Sequence, residues 1–199
     1  MATALDKMMS NQFNQKVDYE VDGEKHTRNI SVKKPGYLTD LKLKDLMNVG
    51  DQKANFGRIF EILMNEVLVQ PQWTYSILDK KLPKKLREKE VAVDVEGQTK
   101  KVKLVFPGYR LALNTLLMIT SPISGAYNMS GFMESVITNM VRTTEGNKVE
   151  PDFFDPGQPG DGLGDEVMKQ ATPFLNDIAS YDGVLPTLLK AYTFLAEKD

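Results

Sequence analysis

The chain has 199 residues, 41% of them apolar and 26% charged, the balance of a globular protein rather than a disordered one. A formal net charge of −2 gives no general pull toward nucleic acid or anionic membrane, and zero cysteines exclude disulfides and every thiolate metal site. No run reaches the length of a membrane-spanning helix, and the N-terminus lacks a signal-peptide layout, so a soluble protein of the cell interior is expected.

Residues 1–15 are polar and rich in Asn and Gln, which predicts a flexible N-terminal arm. From Val17 the pattern turns to strict alternation. Val17, Tyr19 and Val21 fall on one face of a strand, with Asp18, Glu20 and Asp22 on the other. Asp22-Gly23 signals a hairpin turn, because the turn needs positive φ and Gly tolerates it. Ile30 and Val32 carry the returning strand, and Pro35-Gly36 ends it, since Pro cannot donate to a ladder. A short helix is expected from Thr39 to near Gly50, with Leu38, Leu41 and Leu46 inward. Asn55 is a candidate N-cap for a longer helix. Phe56, Ile59, Phe60, Leu63, Met64 and Val67 form its apolar stripe at helical spacing, and Pro71 stops it.

Residues 80–90 read as a basic, proline-interrupted linker, after which the pattern returns. Val91, Val93 and Val95 alternate with Ala92, Asp94 and Glu96, and Gly97 makes the turn. Val102 and Leu104 match Ile30 and Val32, which predicts a second hairpin loop two residues shorter than the first. Pro107-Gly108-Tyr109 repeats Pro35-Gly36-Tyr37. Leu113, Leu116, Leu117 and Met118 mark a helix, broken near Ser121-Pro122 and Gly125. Met129, Phe132, Met133, Val136, Ile137 and Met140 then repeat the earlier stripe. Val149-Glu150-Pro151-Asp152-Phe153 matches Val69-Gln70-Pro71-Gln72-Trp73, with extra residues in a loop at 142–148. The same elements in the same order argue for one unit written twice.

Residues 155–164 are a Gly/Pro loop by composition. Two closing helices follow. One carries Val167, Met168, Ala171, Phe174, Leu175 and Ile178, with a kink expected at Pro173. The other is capped by Asp182 and carries Leu185, Leu188, Leu189, Tyr192 and Leu195. The predicted fold class is α+β: two tandem copies of a β-hairpin followed by two helices, plus a C-terminal helical tail. The expected divisions are an arm at 1–15, a first repeat at 16–79, a linker at 80–90, a second repeat at 91–155 and a tail at 156–199. That tail either packs across both copies or presents an apolar surface to a partner.

No residue pattern points to catalysis, a cofactor or a metal. His26 is the single histidine and sits in a hairpin among charged neighbours. Asp155, Asp161 and Asp165 lack the ligand rhythm and closing Glu of a calcium loop. The lysines of 80–89 are interrupted by acids and carry no aromatic platform for nucleic acid. Methionine is more informative. Core filling explains most of the ten, but flexible thioether surfaces also suit adaptable peptide binding. The candidate partner-binding residues are Met64, Met129, Met133, Met140, Leu188 and Tyr192.

At Phe106-Pro107-Gly108-Tyr109, Glu150-Pro151-Asp152-Phe153-Phe154-Asp155, and the helix from Glu166-Val167-Met168 to Phe174-Leu175, the chain resembles the tail assembly chaperones of long-tailed phages of Gram-positive bacteria. The resemblance covers about residues 91–177, and residues 17–78 repeat it more weakly. It implies a non-enzymatic protein of the infected cell's cytoplasm, absent from the mature virion. Such a protein binds the tape measure protein and keeps it soluble until tube subunits polymerise around it. Self-association is compatible with this reading; nucleic acid, membrane and cofactors are not called for. The rival readings are a connector or tube-associated virion component, and a phage protein that binds a host defence factor.

Overall fold

The structure, a computed structural model, describes residues 11–21, 23–47, 55–120 and 128–196. It is a mixed α+β protein with two antiparallel three-stranded sheets. The chain divides into two compact units, one of Met1–Lys80 with Ala179–Asp199 and one of Lys81–Ile178. It therefore leaves the first unit at Lys81 and returns to it at Ala179.

In the first unit, β1 (Gln12–Val21) pairs antiparallel with β2 (Glu24–Lys33). Val21 faces Glu24 across a two-residue turn, where Gly23 holds φ +83°. The strand starts five residues before Val17, inside the expected arm. Phe13 and Gln15 extend the same alternation, and the Phe13 ring lies 5.3 Å from that of Phe194. That aromatic partner is invisible to local sequence. Residues 1–10 of the expected arm lie outside the described residues.

After Pro35-Gly36 comes α1 (Tyr37–Met47). Its inward residue is Leu43, while Leu38 and Leu41, expected inward, are exposed. Helix α2 (Phe56–Ile62) is capped as expected, the Asn55 side chain accepting from the Arg58 N–H at 2.9 Å. It runs on into a π-turn, Leu63–Val67, and all six stripe residues from Phe56 to Val67 are buried. The chain then forms β3 (Leu68–Gln70), which joins β2 to give the order β1-β2-β3, and α3 (Tyr75–Lys81).

The second unit repeats this order. Where a basic linker was expected, residues 80–90 end α3, form a 3-10 turn at Lys84–Leu86 and begin β4 (Glu88–Val95). Glu88-Lys89-Glu90 alternates in charge, which a strand accommodates, and Lys101 pairs with Glu90 at 2.9 Å. The turn to β5 (Gln98–Val105) has Glu96 at φ 52° and Gly97 at φ 80°, the two positive values of a type I′ turn. Its loop is two residues long, the same length as in the first hairpin. The expected shortening of the loop is therefore wrong. The difference lies in the strands, ten residues each in the first hairpin and eight in the second. Removing two residues from a strand preserves which face each side chain takes, whereas a tight turn has no residue to spare.

Helix α4 (Tyr109–Thr120) precedes α5 (Met129–Met140), and the expected break at 121–127 lies outside the described residues. Asn128 caps α5 through the Gly131 N–H at 2.9 Å, as Asn55 caps α2. Between the two helices the Thr115 and Ser135 hydroxyls share a hydrogen bond of 2.6 Å. β6 (Val141–Arg142) completes the order β4-β5-β6. Beyond it a 3-10 turn, Pro151–Phe154, leads to the loop before the closing helices.

The expected tail is shared out between the units. Helix α6 (Gly164–Ser180), up to Ile178, belongs to the second unit and buries Val167, Ala171, Leu175 and Ile178. It continues through Pro173, whose exposed position lets water serve the carbonyl that the missing N–H leaves free. Helix α7 (Val184–Ala196) belongs to the first unit and packs on β1 and the π-turn, burying Val184, Leu188, Ala191 and Phe194.

Each closing helix is preceded by an Asp-Gly pair held by a basic residue from the second strand of its sheet. In the first unit, Arg28 Nη1 donates to the Asp182 carbonyl at 2.6 Å and Nη2 to the Asp182 carboxylate. The Arg28 guanidinium also lies 5.3 Å from the Tyr19 ring and 5.0 Å from the Trp73 ring. In the second, Lys100 Nζ donates to the Asp161 carbonyl at 2.8 Å. Asp182 was expected to cap the last helix, but it sits at φ 51° in the 3-10 turn Tyr181–Gly183, its carboxylate taken by Arg28. The glycine that follows is required by both conformation and space. Gly183 holds φ +60°, and a Cβ there would stand 2.7 Å from the Tyr19 ring. Thr187 of α7 has a buried hydroxyl without a hydrogen-bond partner among the described residues.

Two substitutions should act on the α7 seat with opposite sign. Gly183→Ala is expected to lower stability by about 2 kcal/mol or more, through clash and strain together. Thr187→Val should raise it by about 1 kcal/mol by removing a desolvated hydroxyl. Urea melts of both variants check the signs.

Candidate functional site

The six candidate contact residues divide between the two units, Met64, Leu188 and Tyr192 in the first and Met129, Met133 and Met140 in the second. Met64, Met140 and Leu188 are core side chains, at 4%, 0% and 0% exposure, and have no surface to offer a partner. Their stripes face sheet and helix within their own units, so their apolar character is spent on packing. Met129 is exposed, and Met133, one turn further along α5, is half-buried. Tyr192, on α7 of the first unit, is half-buried, and that burial pushes its hydroxyl above the ordinary value near 10.

Among the described residues the two most exposed large apolar side chains, Tyr37 and Leu38, lie elsewhere, on α1, with Leu41 beside them. Tyr37 is 76% exposed, Leu38 70% and Leu41 38%. On a helix these three positions fall within about a third of a turn of one another. They form a short apolar ridge opposite the buried Leu43. Asp40 and Lys44 flank it as an i,i+4 ion pair with an N–O distance of 3.1 Å.

The same positions of α4 explain why the ridge is exposed. Tyr109 and Leu113, which stand where Tyr37 and Leu41 stand in α1, are fully buried. Beside them α4 has Ala112, Leu116 and Leu117, whereas α1 has Asp40, Lys44 and Asp45. Seating α1 as α4 is seated would bury three charges, at a cost far beyond the gain from one Tyr and one Leu. Those polar replacements were the available sequence signal for the ridge, legible once the two copies are aligned. The expectation of an inward Leu38 and Leu41 overlooked them.

The other chemistry-bearing residues serve the fold. His26 is exposed and stacks on Tyr19, with ring centroids 5.5 Å apart. Asp161 closes its own loop, its carboxylate accepting from the Gly157 N–H at 2.8 Å. Phe106 packs edge-on to Tyr109 at 5.5 Å, with the Arg87 guanidinium 5.6 Å over its ring. The Phe-Pro-Gly-Tyr motif is thus a joint between sheet and helix. Among the described residues no helix is long and apolar enough to cross a membrane.

No family model, curated protein or solved structure matches this chain.

Truncation separates core methionine from surface methionine. Met64→Ala and Met140→Ala are each expected to cost about 2–5 kcal/mol. Met129→Ala should stay within about 0.5 kcal/mol. Thermal melts that place Met129 with the core pair would overturn this division.

Proposed function

We propose that this protein is a non-enzymatic assembly chaperone of a long-tailed phage. It binds the helical tape measure protein in the host cytoplasm and keeps it soluble until tail tube subunits polymerise around it. One structural observation supports a binding role above the rest: α1 carries Tyr37, Leu38 and Leu41 exposed and aligned on one face, with charges beneath them that oppose burial in the unit's own core. A ridge of this spacing suits helix-against-helix docking, in which a few large side chains at i, i+1 and i+4 supply most of the contact. The choice of partner comes from the resemblance around Phe106-Pro107-Gly108-Tyr109 and Glu150-Pro151-Asp152-Phe153-Phe154-Asp155.

Co-expression with the tape measure protein is the direct test. The wild-type chain should solubilise it and co-purify with it; no effect on its solubility sinks the reading. The double variant Tyr37→Ser/Leu38→Ser should keep its melting temperature, because both side chains are already in water. Its yield of soluble partner should fall on the order of tenfold, the loss expected for a contact hot spot. Mass spectrometry of purified virions should find the protein absent. Stoichiometric presence there would favour a structural virion component.

A further inference from the structure

Helix α7 is the lid of the first unit, yet the whole of the second unit separates it in sequence from the sheet it covers. Its seat is built from β1 and the π-turn, with Phe13 against Phe194 at 5.3 Å and Leu188 fully buried. Nothing in those contacts depends on which chain supplies the helix. The second unit differs here, because α6 reaches its place from the adjoining loop of the same unit.

The joint that returns α7 to its seat is short and strained. Tyr181–Gly183 is three residues long and holds Asp182 at φ 51°, a left-handed conformation that costs free energy for a residue with a Cβ, less for Asp than for most. Short hinges under strain favour exchange of the element they tether.

We propose that α7 exchanges between copies of this chain, so that the seat on β1 of one chain is filled by α7 of a second, with Tyr181–Gly183 as the hinge. Contacts from Val184 onward are the same in either arrangement, so apolar burial does not oppose exchange. Opening the hinge releases Asp182 from its left-handed conformation. The opposing terms are the Arg28 grip on Asp182 and the freedom two chains lose on association, the second of which rising protein concentration offsets. Reciprocal exchange closes a two-fold dimer. This inference does not depend on the tape measure protein being the partner.

The absence of cysteine makes the test clean. Phe13→Cys and Phe194→Cys chains are incubated together at high concentration just below the melting temperature, then treated with a short bifunctional maleimide. The expected product is a covalent dimer joining one of each variant, several-fold above either like-with-like dimer. The Phe13→Cys/Phe194→Cys double variant, kept dilute, should cross-link within one chain. If the double variant links in cis and the mixture gives no mixed dimer, exchange is overturned. If the double variant fails to link at all, the seat itself is wrong and the proposal falls with it. Should the cysteine variants not fold, wild-type chain decides the matter by size exclusion. A dimer is expected, and inserting Gly-Ser-Gly-Ser after Ser180 should shift it to monomer by relaxing the hinge. A wild-type monomer at all concentrations, or a dimer indifferent to the insertion, overturns the proposal.

Discussion

A three-stranded sheet with one apolar face cannot stand alone in water, and the covering of that face organises both halves of this protein. The first unit meets the requirement with α2 and its π-turn, and with a helix drawn from the far end of the chain. In the second α5 packs on β5 and β6, and α4 packs on α5. In both, the closing helix enters through an Asp-Gly pair whose backbone is gripped by a cation from the neighbouring strand. Arg28 and Lys100 stand 72 positions apart and contact the carbonyls of Asp182 and Asp161. The glycines after those aspartates leave no room for a side chain against Tyr19 and Val95.

The two units differ in how the helix after the hairpin is seated. α4 is apolar on the face it turns inward and is fully integrated, down to a buried Tyr109. α1 has Asp40, Lys44 and Asp45 at the corresponding positions, and its Tyr37, Leu38 and Leu41 stand in water instead. A charge introduced at a core position lifts a helix off its core, because desolvation outweighs what the remaining apolar residues gain. The same charges leave the apolar side chains of α1 in water. The long stripes of α2 and α5 carry no such charges, and Met64 and Met140 on them are packing residues.

Much of the fold was legible from the chain alone. The alternation at Val17–Tyr19–Val21 and Val91–Val93–Val95, the glycine turns, the Asn55 cap and the stripe from Phe56 to Val67 are all local patterns. What escaped was non-local. Gln12 and Phe13 read as an arm because the partner of Phe13 lies on α7. Residues 80–90 read as a linker because their lysines look solvated, although Arg87 stacks on Phe106 and Glu90 pairs with Lys101. Asp182 read as a helix cap because its basic partner, Arg28, is 154 positions away.

The contact residues divide in the same way. Met64, Met140 and Leu188 suit a partner contact by residue type alone, and type cannot distinguish a side chain that fills a core from one that faces a partner. The sequence by itself determined the repeated elements, their order and the α+β class, since each follows from the periodicity of a few neighbouring residues. Only the tertiary structure decided which helix covers which sheet and which apolar side chains remain in water. Those outcomes depend on desolvation and packing between segments up to a hundred or more residues apart, and no local pattern records them.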